Sequence, residues 1–476
     1  MNTNVILITI DCLRGDHLSC NGYRKKTTPF LDELSKKCVN FSQAISTGCW
    51  TAPSFISILT STYPLMYNGY VSMTKQRLSI AEILKDNGYI CAGFPFHPFM
   101  APIYNYNRGF HFYRHEPEKI NKKSIISKKI NKALKKKIKQ RCMFSKSLLT
   151  ILDGYGQLTE IYRYIFLYDS EKMRAESINN VAIKWVKSQK DKKFFLWLHY
   201  FDVHSPHLPP LNYLNHSLGK LDISKLHFKR NFAWKYNSPK IISKRELEYL
   251  ISLYDSNITY VDDQIRHFLQ QLNQVIDLKN TYVIITADHG EQFLEHGGLE
   301  HELQLYEELI HVPLTISGPG LPSKNIEIPV SLIDLAPTIL DLLDIESPPD
   351  FVGLSLLPII NSDNPQPRIC FSEEGREFTT ESLQIEPGKI KLNLNYKTVS
   401  LRGKKWKYIY KEGRKDELYN LKDDPGEKYN LIDSEKEIAK ELKTKIDEHL
   451  LKEKKISNGR GKLLQKINLL KRSGKI

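Results

Sequence analysis

The strongest constraint on the fold of this chain comes from its continuous apolar runs. They lack the alternation of apolar and polar residues that is typical of a half-exposed strand. Three of them, rich in β-branched and aromatic residues, are NVILITI (4–10), FFLWLHYF (194–201) and TYVIITAD (281–288). Strands of this kind are buried on both faces, as in parallel sheets covered by helices. Stretches of helical character alternate with them, near 29–37, 79–89, 171–188 and 245–272. The sequence therefore predicts an α/β fold with helices on both faces of the sheet.

Polar residues follow these apolar runs. Asp11 comes after the first, His204 comes after the second, and Asp288 with His289 stands at the end of the third. Carboxyl ends of parallel strands meet at one edge of a sheet, where ligands bind. With the hydroxyl of Thr51 at the start of a helix, this set indicates one metal site beside a nucleophile. Carboxylates and one imidazole suit Ca, Mn, Mg or Zn.

The pattern of apolar and charged residues changes near residue 369. A short run CFSEEG, the strand-like KKWKYIY (404–410), ELYNL and a charged helix near 434–453 follow. These indicate a smaller α+β subdomain with a short antiparallel sheet. We predict a catalytic domain over 1–365 with a basic insertion at 119–146, a C-terminal subdomain over 366–455 and a basic tail over 456–476.

The net charge of +15 is concentrated in two segments. Residues 119–146 contain 12 Lys and Arg and no acid, and residues 452–476 contain nine against one Glu. A solvated basic segment is one interpretation. The other is a helix on an anionic membrane or polymer surface, because Ile and Leu recur among the lysines near helical spacing. Nucleic acid is not an expected partner, since these runs lack the interleaved aromatic residues that base stacking needs.

We expect no targeting signal from this sequence. The run VILITI is too short for a secretory signal, and no apolar run reaches the ~18 residues that span a bilayer. Seven scattered cysteines without a C-x-x-C pair fit reduced thiols. We therefore expect a cytoplasmic protein, free or peripheral to a membrane.

Eight consecutive motifs extend over most of the chain: NVILITIDCLRGDHLSCNGY, TTPFLDEL, WTAPSFISILTSTYP, LHYFDVHSPHLPP, ITADHGEQFLEHGG, LYEELIHVPLTISGPG, SLIDLAPTILDLL and KKWKYIYKEGRKDELYNLKDDPGEKYNL. In this order they resemble the motifs of sulfatase-like enzymes of the alkaline phosphatase superfamily. The resemblance implies an alkaline-phosphatase-like, mostly parallel sheet sandwiched by helices. It also implies one divalent metal ion and hydrolysis or transfer of a sulfate or phosphate ester.

The resemblance assigns roles to individual residues. Asp11, Asp288 and His289 match metal ligands, and Thr51 matches a nucleophile that also touches the metal. His204 and His301 match imidazoles near the ester oxygens and the leaving group. A leaving alkoxide needs a proton donor, and the anion needs hydrogen-bond donors, so imidazoles suit both tasks.

This chain departs from the sulfatase pattern in three positions. Cys12 stands where many sulfatases have a second Asp, and we expect it to be a neutral filler. Thr51 stands where they have a Cys or Ser that becomes formylglycine, and Phe55 replaces the Arg of the same motif. Cys49 is two residues out of register, which favours a packing role. Because Thr cannot form the aldehyde hydrate, phosphoryl or phosphonyl groups suit this nucleophile better than sulfate.

Other polar residues near the motifs have alternative interpretations. Arg14 either contacts the anion or pairs with Asp16. His199 is predicted to be a hydrogen-bonded core residue, Asp202 to orient His204, and Asp262 to form a cap or ion pair.

Three functions remain open at this stage. One is a hydrolase of an anionic ester, such as that of a glycan or lipid head group. The second is a transferase that moves a phospho-alcohol group to a glycan or lipid acceptor. The third is a sulfatase-like binding protein without catalysis.

Overall fold

The computed structural model describes residues 3–116, 174–189, 192–214, 241–301, 303–375 and 397–472. The predicted basic insertion at 119–146 lies outside these residues.

The described strands are β1 (Asn4–Ile10), β2 (Val39–Ile45), β3 (Ile90–Pro95), β4 (Phe112–Tyr113), β5 (Phe194–Tyr200), β6 (Thr281–Ala287), β7 (Gln292–Phe293), β8 (Leu299–Glu300), β9 (His311–Ser317), β10 (Lys324–Ile326), β11 (Val330–Ser331), β12 (Cys370–Glu374), β13 (Thr398–Arg402), β14 (Trp406–Lys411) and β15 (Glu417–Asn420). The helices are α1 (Pro29–Ser35), α2 (Thr51–Thr60), α3 (Ile80–Asp86), α4 (Ala175–Lys187), α5 (Lys244–Asn273), α6 (Glu307–Ile310), α7 (Leu335–Leu342), α8 (Leu357–Asn361) and α9 (Lys436–Arg472).

A large sheet forms the core, with strand order β10-β2-β9-β6-β1-β5-β3-β4 and β11 beside β2. Strand β1 pairs in parallel with both β5 and β6. Only β9 among the described strands of this sheet runs antiparallel to its neighbours, β2 and β6. Every residue of β1, β5 and β6 is buried. The predicted α/β fold with a mostly parallel sheet is confirmed, and it places the ends of β1, β5 and β6 side by side.

The helices pack on the sheet through their apolar faces. The long helix α5 starts with a capping box, in which Ser243 and Glu246 satisfy each other's backbone N–H groups. Helix α1 meets α5 through Asp262, whose carboxylate accepts from the backbone N–H groups of Phe30 and Leu31 at 2.8 and 2.9 Å. The predicted capping role of Asp262 is therefore confirmed.

The second sheet is antiparallel, in the order β12-β13-β14-β15, as predicted for the C-terminal part. Helix α9 packs on it through Ala439, Leu442 and Ile446, which join Val399 and Leu401 in a separate apolar cluster. The predicted end of this helix near residue 453 is wrong, because α9 continues to Arg472 through most of the predicted tail. Lysines, leucines and isoleucines dominate that stretch, and they favour helix despite Gly459 and Gly461. Among the described residues, no helix has the length and apolar content to cross a membrane.

Candidate active site at the carboxyl edge of the sheet

Two carboxylates define the centre of the site. Asp11 follows β1 and Asp288 follows β6, and these strands are paired so that Ile10 lies beside Ala287. Both side chains are fully buried. Parallel pairing therefore brings the two residues together at one edge of the sheet, although they are 277 residues apart in the sequence.

His289 faces both carboxylates with an unprotonated nitrogen. Its Nδ1–H donates to the Gly290 carbonyl at 2.8 Å, so a neutral ring keeps its lone pair on Nε2. That Nε2 lies 3.4 Å from Asp11 Oδ1 and 3.5 Å from Asp288 Oδ2. Two carboxylate oxygens and a ring nitrogen that face one another in this way are the donor set of a cation site.

Thr51 brings a hydroxyl to the same point. It is the first residue of α2, a ten-residue helix that is buried along its whole length. Its Oγ1 lies 3.3 Å from His289 Nε2. The helix N-terminus adds partial positive charge, which favours an anion in front of the hydroxyl. The predicted nucleophile is thus in contact with His289, one of the predicted ligands, which in turn faces Asp11 and Asp288.

A divalent cation fits this arrangement. Asp288 Oδ2 is buried and accepts no hydrogen bond from the described residues. Burial and the charge of Asp11 raise the pKa of Asp288, which shows how poorly two bare carboxylates coexist here. Asp11, Asp288, His289 and Thr51 would hold the ion, and both carboxylates would then be ionised.

Cys12 lies beside this group. Its Sγ donates to Asp11 Oδ1 at 3.1 Å and lies 3.5 Å from His301 Nδ1. Burial and then the Asp11 charge raise the pKa of the thiol well above its usual range. A thiol that keeps its proton is a neutral group, as predicted for Cys12.

His204 and His301 form a pair of imidazoles next to the carboxylates. Their ring centroids are 4.8 Å apart, and His301 lies 4.5 Å from the ring of His289. Burial lowers the pKa of His204, whose Nδ1–H donates to Ser205 O at 2.7 Å. Burial also opposes charge on His301, but nearby Glu291, at 3.4 Å, outweighs it and raises its pKa to about 9. The surroundings therefore favour the neutral form of His204 and the protonated form of His301.

Three residues near the site, Arg14, Phe55 and Cys49, make structural contacts. Arg14 is held by Asp16 at 2.8 Å and Glu295 at 2.5 Å, so it has the predicted structural ion pair. Phe55 packs its ring 5.0 Å from Trp197 and carries no charge to the site. Cys49 is buried and its Sγ donates to Glu374, in agreement with a packing role.

The predicted role of Asp202 is wrong. Its Oδ2 accepts from the backbone N–H of Ala175 at 2.8 Å, at the start of α4, instead of contacting His204. His204 is oriented by the Ser205 carbonyl and by the ring of Phe201, which stacks on it at 4.3 Å. The N–H groups at a helix start attract a nearby carboxylate strongly, which explains the difference.

Three residues of the site were not assigned roles there from the sequence. His199 was predicted as a buried hydrogen-bonded residue, and its Nε2 lies 3.2 Å from Asp11 Oδ2. Glu291 holds His301, and only the fold brings them together. His97 follows β3, and its Nε2 lies 3.7 Å from Asp11 Oδ2. The pattern that predicts Asp11 as a site residue is a polar residue after an apolar strand. The same pattern applies to His97.

Comparisons with known proteins agree with this fold. The architecture and the clustered residues define an alkaline-phosphatase-like α/β protein. A sequence model of the sulfatase family matches residues 3–345, and a model described as N-sulphoglucosamine sulphohydrolase, C-terminal, matches residues 294–455. The first match covers well over half of the sequence, so the chain belongs to the sulfatase family.

Individual relatives extend this assignment. Arylsulfatase K of Mus musculus is 31% identical over 209 residues, which are 43% of this chain and 36% of that protein. The chain thus spans little more than a third of the length of that relative. An arylsulfatase of Clostridium perfringens is 27% identical over 482 residues, covering 94% of this chain and 92% of that protein. The phosphonate monoester hydrolase of Agrobacterium radiobacter has the same fold, with a TM-score of 0.68, 19% identity and 96% coverage of both chains.

Proposed function

We propose that this protein is a metal-dependent hydrolase of a sulfate or phosphate ester, with Thr51 as its nucleophile. The observation that carries the proposal is the 3.3 Å distance between Thr51 Oγ1 and His289 Nε2, in a buried group that includes Asp11 and Asp288. A divalent ion held by these residues supplies Lewis-acid chemistry, which lowers the pKa of a bound hydroxyl and neutralises a bound anion.

The protein's own residues account for the proton transfers. In the first step, Thr51 Oγ gives its proton to the neutral imidazole of His204 and forms a bond to phosphorus or sulfur, while the bond to the leaving alkoxide breaks. The imidazolium of His301, held by Glu291, donates a proton to that alkoxide. In the second step, water attacks the phosphorus or sulfur and gives its proton to His301, which is now neutral, while His204 returns its proton to the departing Thr51 oxygen. His204 and His301 differ in charge because their surroundings differ, as an acid–base pair requires.

The nucleophile favours phosphorus over sulfur. A Thr has one hydroxyl, so the covalent intermediate must be released by attack of water on the central atom. Phosphoryl and phosphonyl groups accept such attack, and we therefore expect phosphate or phosphonate esters to be hydrolysed faster than aryl sulfates. The C-terminal family match names a sulfated sugar enzyme, so a glycan ester remains a candidate substrate class.

Thr51→Ala tests the nucleophile. The variant should fold and still bind metal, and its kcat should fall by at least about 10³-fold, because the attacking atom is gone. Thr51→Ser should keep measurable turnover. Thr47→Ala is a matched control, since its buried hydroxyl lies four residues earlier without a hydrogen-bond partner among the described residues. Aryl sulfate, phosphate, phosphodiester and phosphonate substrates with Ca²⁺, Mn²⁺, Mg²⁺ and Zn²⁺ form the assay panel. Unchanged turnover by Thr51→Ala would refute the assignment.

Two further predictions concern partners. A transferase would pass to a glycan or lipid alcohol the group that a hydrolase passes to water. Incubating one phosphodiester with and without such an acceptor distinguishes the two activities.

We propose that the basic segments bring either enzyme to an anionic membrane surface, which would make the protein cytoplasmic and peripheral to the membrane. Vesicle flotation that does not depend on anionic lipid would contradict that role.

A further inference from the structure

A second group of metal-ligating side chains lies away from the active site, between helix α9 and strand β12. It consists of Glu373 on β12 and of His449 and Glu453, one helical turn apart on α9. Their ligand atoms lie within 4.8 Å of one another. All three residues are buried, with 0%, 8% and 7% of their surfaces exposed.

The distances within this group fit a small cation. His449 Nε2 lies 2.8 Å from Glu373 Oε1 and 3.7 Å from Glu453 Oε1. Glu373 uses its other oxygen, Oε2, to accept from the backbone N–H of Leu65 at 2.9 Å, which fixes the carboxylate. The ring of His449 is fixed as well, because it stacks on Phe371 at 4.0 Å and meets the edge of Tyr63 at 4.5 Å.

Glu453 is the observation that points to a ligand. Its Oε1 is buried and has no hydrogen-bond donor among the described residues. Glu453 is also the single acid in the segment 452–476, where nine Lys and Arg would offer ion pairs at the surface. The Glu453 carboxylate also bonds that of Glu373, and burial together with this neighbour raises the pKa of Glu453 well above its usual range, so that a cation or a proton must offset the cost of the pair.

We propose that Glu373, His449 and Glu453 form a structural Zn²⁺ site. One imidazole and two carboxylates are ligands that zinc accepts in tetrahedral geometry, with water in the fourth position. An imidazole ligand favours zinc over Mg²⁺ and Ca²⁺, which prefer oxygen. Two negative charges balance the dication. The ion would join α9 to β12 and, through Leu65, to the segment that follows α2.

Metal content measures this site directly. Protein stripped with chelator, reloaded with Zn²⁺ and desalted should contain one more equivalent in the wild type than in Glu453→Gln, which keeps the shape of the side chain but weakens its ligand oxygen. His449→Gln should lose the same equivalent. Glu448→Gln is the matched control, because Glu448 is exposed on the same helix next to His449 and should leave the zinc content unchanged.

Variants that carry Asp288→Asn distinguish the active-site ion from the ion bound by Glu373, His449 and Glu453. Asp288→Asn should remove one equivalent and leave the other, and Asp288→Asn with Glu453→Gln should retain none. Circular dichroism of each variant without metal shows whether it is folded. Added Zn²⁺ should raise the Tm of the wild type by several degrees more than that of folded Glu453→Gln.

A proton shared by the two carboxylates is the competing explanation. It predicts equal zinc content in the wild type and Glu453→Gln, and no difference in the Tm increase on adding zinc. Either result, obtained with folded variants, would overturn the zinc site.

Discussion

Cys12 decides how many charged ligands the active site offers. The chain turns sharply at this residue, with φ of 59°, so that its backbone N–H points to Asp288 Oδ1 at 3.4 Å. Its thiol is neutral and already donates to Asp11. Asp11 and Asp288 are therefore the carboxylates available to an ion here, where many sulfatases have one more.

Cys12→Asp should bind a divalent ion at the active site more tightly. An additional carboxylate increases the ligand charge, and we expect about a tenfold gain in Mn²⁺ affinity. Asp tolerates the positive φ of this position. Cys12→Ser should change the affinity by less than about threefold, because a neutral group replaces another. Calorimetric titration of the metal-free protein measures both. A loss of two orders of magnitude in Cys12→Ser would identify the sulfur as a ligand.

At the scale of helices and strands, continuous apolar runs could be read directly. Strands β1, β5 and β6 end within one residue of their predicted limits, since a strand buried on both faces has no polar interruption. Strand β9 could not be recognised as an antiparallel insertion, because its neighbours β2 and β6 are remote in the sequence. The active-site carboxylates were predictable from strand ends. The Glu291–His301 contact and the cap on α4 depend on the course of loops, which local patterns do not specify.

Asp202, the carboxylate at the start of α4, should make stability depend on pH. Burial raises its pKa to about 7, above the ordinary value of 3.8. A group with a raised folded-state pKa stabilises the protein fully below the unfolded pKa, and the contribution is lost as pH rises through the folded pKa. Between pH 4 and 7, the free energy of unfolding should therefore fall by on the order of 1 kcal/mol per pH unit from this residue.

Asp202→Asn should remove that slope. The amide oxygen can still accept from the Ala175 N–H, so the cap is retained. Urea unfolding at pH 4, 5.5, 7 and 8 compares the variant with the wild type, and exposed Asp363→Asn serves as the control. Parallel pH profiles of Asp202→Asn and the wild type would contradict the prediction.

At the scale of the whole molecule, a buried lysine joins the two sheets. Lys407 on β14 is fully buried, and its Nζ lies 3.1 Å from Glu307 at the start of α6 and 2.8 Å from Glu427. Arg402 on β13 adds a second cation, 3.2 Å from Glu307. The carbonyl of Glu427 lies 3.1 Å from His296 Nε2, so the same contact reaches the segment between β7 and β8.

Lys407→Met should destabilise the protein by about 3–5 kcal/mol, because two buried carboxylates lose their shared cation. Lys404→Met removes an exposed lysine three residues earlier and should change stability by less than about 0.5 kcal/mol. The denaturant midpoint, followed by circular dichroism, measures both. A Lys407→Met protein as stable as the wild type would show that the carboxylates are protonated or hydrated instead.

The position of β1 at the centre of the large sheet also affects synthesis of the protein. Its residue Val5 pairs with Phe195 on one side and Tyr282 on the other. The apolar segment NVILITI leaves the ribosome before both of its partner strands, and it has no second neighbour until Ala287 has followed. Pairing between strands that are far apart in the sequence slows folding, and it leaves an aggregation-prone apolar strand exposed on the nascent chain. Productive expression should therefore depend on chaperones that bind β1 until β5 and β6 have been synthesised.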